Sequence, residues 1–297
     1  MKSKDIFSSC HPIVNLIYFA LVLGFSMFFM HPICLVVSLT CAMVYAINLN
    51  GKIAARRTLI FVLPMMLMAA VINPAFNHAG EAILLYLPTG NPLTLESIVY
   101  GIASALMLGA VITWFNCFTE VMTSDKFVYL FGRIIPSLSL ILSMTLRFVP
   151  RFKAQMKVVS DAQRCVGRDV SEGSVVSRIR KAATVLSIMV TWSLENALET
   201  ADSMKSRGYG QPGRTAFSIY KFDKRDRNII IWLVVCGIVI IAAGFTDIIS
   251  WEYFPGFTGE IASPAGIIVQ IIYAAMCLTP VIINKNDEKY WKERKYE

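Results

Sequence analysis

The residues of this chain best placed to act on another molecule are arginines that close polar runs. In "SMKSRGYG" (203–210) a helix-like pattern stops at Ser206-Arg207-Gly208. Glycine is the usual residue where a helix terminates in the left-handed conformation, and a cation in the last turn interacts favourably with the helix dipole. A second basic end lies some forty residues upstream, where "DAQRCVGRD" (161–169) carries Arg164, Gly167 and Arg168. What these ends offer is displayed positive charge. No catalytic constellation accompanies it: H-E-x-x-H, G-x-S-x-G and G-x-x-x-x-G-K-[ST] are all missing, so no zinc protease, serine hydrolase or nucleotide site is indicated, and ATP, if used, is bound elsewhere. His11, His31 and His78 stand alone, the first two before prolines, and read as structural. The seven scattered cysteines show no C-x-x-C pair and read as buried thiols.

The elements that must carry those ends follow from hydropathy and charge. Of 297 residues, 56% are hydrophobic and 16% charged, which points to a polytopic membrane protein. Six stretches are apolar enough to cross about 30 Å of hydrocarbon: 13–30, 33–47, 59–72 (with Pro64 inside), 98–118, 229–245 and 265–283. The first follows Lys2 and Lys4 without a small-residue cleavage site and reads as a retained span. None of the six contains an acidic or basic side chain, which argues against a proton-coupled pump or a channel formed by this chain alone.

Lys and Arg are absent from 58–125 and 228–284, whereas 126–227 holds 18 of the 28 basic residues. Basic residues gather on the cytoplasmic side, so the middle, the loop "NLNGKIAARR" and both termini are expected inside. The segment 78–96 lacks a base and has turn chemistry at "LPTGNP", giving an external re-entrant segment or hairpin, and the loop with Asp247, Glu252 and Glu260 is external too.

The middle contains two more apolar pieces, 134–146 and 182–194, of thirteen residues each. At about 1.5 Å per residue each reaches only about 20 Å, too short to cross. Each continues into an amphipathic helix. Phe152, Met156, Val159, Ala162 and Val166 make one apolar stripe, opposite Lys153, Lys157, Asp161, Arg164 and Arg168; Leu186, Val190, Leu194, Leu198, Ala201 and Met204 make the other, opposite Glu195, Glu199 and Asp202. Two such helices, joined by "GRDVSEGSVVSR", are expected to pair through these stripes. The cations share their stripes with Asp161 and aromatic interleaving is sparse, so no nucleic-acid surface is expected.

"LRFVP" (146–150), "DAQRCVGRD" (161–169), "NALETADSMKSRGYG" (196–210) and "GRT" (213–215) together resemble the transmembrane T component of energy-coupling factor transporters, the family that includes cobalt-transport permeases. In that family two Ala-Arg-Gly-like motifs end two cytosolic coupling helices, and their arginines dock into grooves on a pair of ATP-binding cassette subunits. Ser206-Arg207-Gly208 is close to the pattern. The first motif departs from it: aligned on Ala162-Gln163, the expected arginine falls at Val166, and Arg164 and Arg168 flank that position as substitutes.

The resemblance implies an energy-coupling scaffold for uptake of a vitamin or transition-metal ion. It would be non-catalytic and without its own cofactor, with ATP bound by two ATPase subunits and cargo by a separate small membrane subunit. Arg207, Gly208, Ser206, Arg164, Gly167 and Arg168 would dock the ATPases, and Arg147, Pro150, Leu194, Leu198, Ala201 and Met204 would pack the coupling helices. The expected fold is an all-α polytopic protein of about six membrane helices, with long amphipathic cytosolic helices inserted before the last two. Its parts are 1–125, 126–227 and 228–297. An importer permease with its own substrate path is the competing reading, and an intramembrane lipid-acting enzyme a third.

Overall fold

The computed structural model describes residues 5–86, 92–209, 211, 220–246, 248–259 and 263–293. They form two compact units, Met1–Thr123 with Tyr220–Glu297, and Ser124–Ile219. Helix dominates both, and the chain is an all-α polytopic membrane protein.

The first unit begins with a 3-10 turn, Phe7–Ser9, followed by α1 (Pro12–Phe28) and α2 (Pro32–Phe76). Prolines open both helices at a position whose N–H has no intrahelical partner, and the His11 Nδ1 accepts from the Ile13 N–H at 3.3 Å to cap α1. The "NLNGKIAARR" segment, expected as a loop, is instead helical apart from one residue. Gly51 sits at φ 78°, ψ 168° and kinks α2, which contains two membrane-length runs, Pro32–Ile53 and Thr58–Phe76. One glycine supplies the left-handed step, and residues such as Lys52 and Arg56 are good helix formers on its far side.

A short antiparallel hairpin, β1 (Ile83–Tyr86) and β2 (Pro92–Thr94), follows, so of the two readings of 78–96 the hairpin is observed. Its Leu87–Asn91 centre lies outside the described residues. Glu96 anchors it by accepting from the Ala82 N–H at 3.1 Å, and the Thr94 hydroxyl donates to the Ala79 carbonyl at 2.7 Å. Next comes α3 (Leu95–Val121); α7 (Lys224–Phe245) and α8 (Pro264–Glu293) complete the unit. Among the described residues five helical runs are long and apolar enough to cross a membrane, and α1 adds a shorter apolar one of 17 residues.

Two packing devices hold this unit. Gly101, Ala105 and Gly109 recur every fourth residue on α3 and let it approach the second run of α2 closely: a Cβ on Gly101 would come within 2.8 Å of the Ala70 carbonyl oxygen. Small residues replace hydrophobic drive as the basis of helix contact in lipid. The other device is an aromatic and polar core in which Phe7, Tyr18, Phe19, Tyr45 and Trp114 are fully buried. Tyr18 donates to the Cys277 carbonyl at 2.8 Å, Trp114 to Ser38 at 3.0 Å, and Ser38 pairs with Ser26, which meets Tyr273. Every one of these polar groups has a partner inside the bundle, as hydrocarbon surroundings demand. Six of the seven cysteines are buried, but Cys165 is exposed, because it is the last residue of a helix outside this core. Asp247 and Glu260, in the segment between α7 and α8, lie outside the described residues; Glu252 bridges to Thr258.

The second unit consists of α4 (Ser124–Ile134), α5 (Pro136–Cys165) and α6 (Val175–Ser206). Neither α5 nor α6 is among the membrane-length apolar runs. The thirteen-residue apolar pieces belong to longer helices: 134–146 runs from the end of α4 into the first half of α5, and 182–194 is the middle of α6. These two helices, α5 and α6, have 30 and 32 residues and are about 45 and 48 Å long. Pro136 starts α5 and separates it from α4, whereas Pro150 is accommodated inside α5.

Candidate functional site

In the second unit α5 and α6 meet through a small apolar cluster. Val159 of α5 packs with Val185 and Met189 of α6, and Phe152, Val170 and Trp192 pack around them. Phe152 meets Trp192 edge to face at 5.5 Å, and the Arg151 guanidinium lies 5.6 Å over the Trp192 ring. This corrects the expected register. Phe152 and Val159 belong to the expected stripe of α5, but on α6 the inward residues are Val185 and Met189, one position before Leu186 and Val190, with Trp192 two before Leu194. One residue rotates a helical side chain by about 100°, and the indole fills the contact with more area than a leucine. Leu186, Val190, Leu194 and Leu198 are therefore 61%, 50%, 62% and 70% exposed. Ala201 is exposed and Met204 half-buried, while on α5 Arg147, Pro150 and Met156 face outward. The i, i+4, i+7 spacing of Val185, Met189 and Trp192 carried the signal for the true contact.

The two helix ends have one backbone geometry. At the end of α5, Val166 has φ −89°, ψ 11° and Gly167 φ 75°; the Gly167 N–H donates to the Arg164 carbonyl at 3.0 Å and the Arg168 N–H to the Gln163 carbonyl at 2.9 Å. At the end of α6, Arg207 has φ −84°, ψ 7° and Gly208 φ 74°; the Gly208 N–H donates to Lys205 at 3.0 Å and the Tyr209 N–H to Met204 at 3.1 Å. Both are Schellman motifs, each using a left-handed glycine to satisfy two carbonyls. Position for position, Val166 matches Arg207, and Arg168 matches Tyr209.

The side chains differ. Val166 is 71% exposed and lies beyond the helix, not on its apolar stripe. Arg164 Nε is 3.0 Å from Asp169 Oδ2, so its charge is already engaged within the chain. The Ser171 N–H and hydroxyl donate to Asp169 at 2.9 and 2.7 Å, and these bonds, with smaller contributions from the Arg164 and Lys181 charges, hold its carboxyl below the usual aspartate range. Lys181 Nζ donates to the Asp169 and Glu172 carbonyls at 2.9 and 3.0 Å, and Arg178 Nε to the Val170 carbonyl at 3.1 Å. Cations in the first turns of α6, unfavourable to the helix dipole there, thus brace the 166–174 connection. Arg168 is exposed, as are Arg207 and Ser206, whose hydroxyl donates to the Ser203 carbonyl at 2.9 Å. Arg147 precedes Arg164 by seventeen residues, about 25 Å along α5, and belongs to neither end. Gly213-Arg214-Thr215 lies outside the described residues.

The cobalt transport protein family CbiQ matches residues 8–217, a stretch that takes in both helix ends and all of α1–α6. The chain belongs to this family. The CbiQ-family match is joined by similarity to energy-coupling factor transporter transmembrane proteins EcfT. Identity to that of Lactobacillus helveticus is 30% over 109 residues, 36% of this chain and 39% of the relative. To that of Lactococcus lactis subsp. cremoris it is 31% over 108 residues, 36% and 41%. A longer match, to that of Bacillus selenitireducens, is 24% over 216 residues, 67% and 80%. In the first two comparisons the chain spans about two-fifths of the relative's length. Family and apolar helices together make this CbiQ-family chain a multi-pass membrane protein of a transport class.

Proposed function

We propose that the chain is the energy-coupling transmembrane component of an uptake transporter for a vitamin or transition-metal ion, itself non-catalytic. Two ATP-binding cassette subunits would bind and hydrolyse ATP. A separate small membrane subunit would bind the cargo. Both termini and the second unit would face the cytoplasm, as the clustering of basic residues favours.

The observation that carries this reading is the pair of matching Schellman ends on two long helices that cross through Val159, Val185 and Met189. Each end presents exposed side chains on a backbone fixed by two hydrogen bonds, so a docked ATPase would move a rigid lever. Arg207 is the principal docking residue, with Ser206 and Gly208 shaping its end. Arg168, with Arg164 and Gly167, serves the other. The exposed Leu186, Val190, Leu194 and Leu198 stripe suits the cargo-binding membrane subunit, since an apolar row of that length is a partner surface in water. ATPase closure would draw the ends together and transmit the motion to that subunit.

The test is Arg207→Glu. A charged hydrogen-bonded contact contributes about 1.5–3 kcal/mol, so reversal should cut ATPase co-purification and ATP-driven uptake at least about tenfold. Unchanged co-purification and uptake would overturn the proposal.

A further inference from the structure

Away from the coupling helices, the first unit has a groove of about 380 Å³ between α7 and α8, lined by Arg225, Asn228, Ile229 and Trp232 on one side and Ala275, Thr279, Ile282 and Ile283 on the other. That volume is within the range of small-molecule sites, about 300–1,000 Å³. We propose that this groove binds one anionic phospholipid, with its phosphate at Arg225 and Asn228 and an acyl chain along Trp232 and Ile282.

Polarity runs along the groove in the order of a lipid. Arg225 is in the first turn of α7, beside Lys224 and Arg227, and Lys285 follows Ile283 by two residues on α8. From there to Trp232 and Ala275 the walls are aliphatic and aromatic apart from Asn228 and Thr279, over seven or eight residues or about 10–12 Å of helix. Both walls belong to membrane-length apolar runs, Lys224–Phe245 and Pro264–Asp287, so the medium reaching the groove is the bilayer itself. Trp232 and Ile282, 45% and 48% exposed, leave it open from that side. The indole N–H donates to the Thr279 hydroxyl at 3.4 Å, which fixes the ring as a wall.

The charge at the mouth is available. Among the described residues the Arg225 guanidinium is hydrogen-bonded only to the Cys10 thiol, at 3.4 Å, a weak acceptor, and no carboxylate forms an ion pair with it. The neighbouring Asp226 is 2% exposed; its Oδ2 accepts from the Asp223 N–H in the capping box of α7, and among the described residues its Oδ1 is buried without a hydrogen-bond partner and it forms no ion pair with Arg225. A cationic recess between membrane helices selects anionic headgroups, and an apolar floor selects a lipid over free phosphate.

The experiment is native mass spectrometry of the full chain, purified with any subunits that accompany it, after addition of phosphatidylglycerol or phosphatidylcholine. Wild type should retain one phosphatidylglycerol in preference to phosphatidylcholine, undisplaced by excess inorganic phosphate. Arg225→Gln should weaken retention about fivefold, the factor expected for one cation beside a charged headgroup, and remove the preference. Ile282→Trp, which fills the groove without altering charge, should weaken retention of either lipid, whereas Lys52→Gln should change nothing. Elution volume and melting temperature report whether each variant is folded. Equal retention of the two lipids by wild type, or wild-type retention by both folded groove variants, would overturn the proposal; so would failure to bind added phosphatidylglycerol, the result expected if a protein partner covers the groove.

Discussion

Val166 and Arg207 occupy the same place in the same motif: each is the last residue before a left-handed glycine, with φ/ψ of −89°/11° and −84°/7°. One end therefore presents a guanidinium where the other presents an isopropyl group. In the proposed complex the two docking contacts cannot be chemically equal. Arg207→Glu should reduce ATPase association far more than Arg164→Glu, because Arg207 holds the position directly before the left-handed glycine whereas Arg164 lies two residues further back in its helix. Val166→Arg should strengthen association, by up to the roughly tenfold of a new charged hydrogen bond. Pull-down of the ATPase subunits with single and double variants measures both.

The Schellman glycines have their own signature. Gly167→Ala or Gly208→Ala forces a side chain into φ near +75° and should cost about 1–2 kcal/mol locally. Hydrogen exchange should quicken at the Arg168 or Tyr209 amide and hardly elsewhere.

Trp192 and Leu198 lie six residues apart on different faces of α6 and should behave oppositely. Trp192→Ala removes the edge-to-face contact with Phe152 and the Arg151 interaction, and should lower the stability of the second unit by about 2 kcal/mol, short of the 3–5 for a fully buried tryptophan. Leu198→Ala, at a 70% exposed position, should leave stability within about 0.5 kcal/mol and instead weaken co-purification of the cargo-binding subunit. Thermal unfolding and pull-down separate the two.

The contact between α2 and α3 supplies a paired test. Gly101→Ala places its methyl against the Ala70 carbonyl, which cannot yield without moving a helix, whereas Gly109→Ala meets the flexible Met66 side chain. Overpacking costs about 1–3 kcal/mol, so the first variant should melt lower than the second.

The 166–174 connection should tolerate mild acid. Asp169 is depressed, so the stability it contributes is present above its unfolded value near 4 and is lost only as pH falls through the lower folded value. Amide protection at Ser171 should therefore be flat from pH 8 to about 5, and Asp169→Asn should reduce it throughout.

Much of this was legible from one sequence because hydrocarbon imposes strong rules. Six uncharged apolar stretches gave the helices of the first unit, most of their ends to within a few residues, although α8 runs ten residues past the expected 283. Length alone separated α5 and α6 from the spans. What escaped were features decided by one residue. The helix continued past Gly51 because a single left-handed step does not need a loop. On α6 two apolar rows run side by side, and periodicity ranks them equally until Trp192 and Phe152 choose between them. The equivalence of Val166 with Arg207 was visible only as an alignment oddity; shared dihedral angles and hydrogen bonds give it physical content. The bracing of the connection by Lys181 and Arg178 had no local pattern to announce it.

Asn284 accepts from the Ile6 and Phe7 amides at 3.0 and 3.2 Å and donates to Asp5, which also receives the Tyr45 hydroxyl, while the Phe7 ring is fully buried. Phe7 and Asn284 are 277 positions apart. On the ribosome, then, the Phe7 ring must wait for α8 before its seat exists, while the segment holding α4–α6 has already been made. Folding that proceeds from the N-terminus thus leaves the membrane bundle unlatched until α8 has emerged, and assembly factors would meet α4–α6 already made while the bundle is still open.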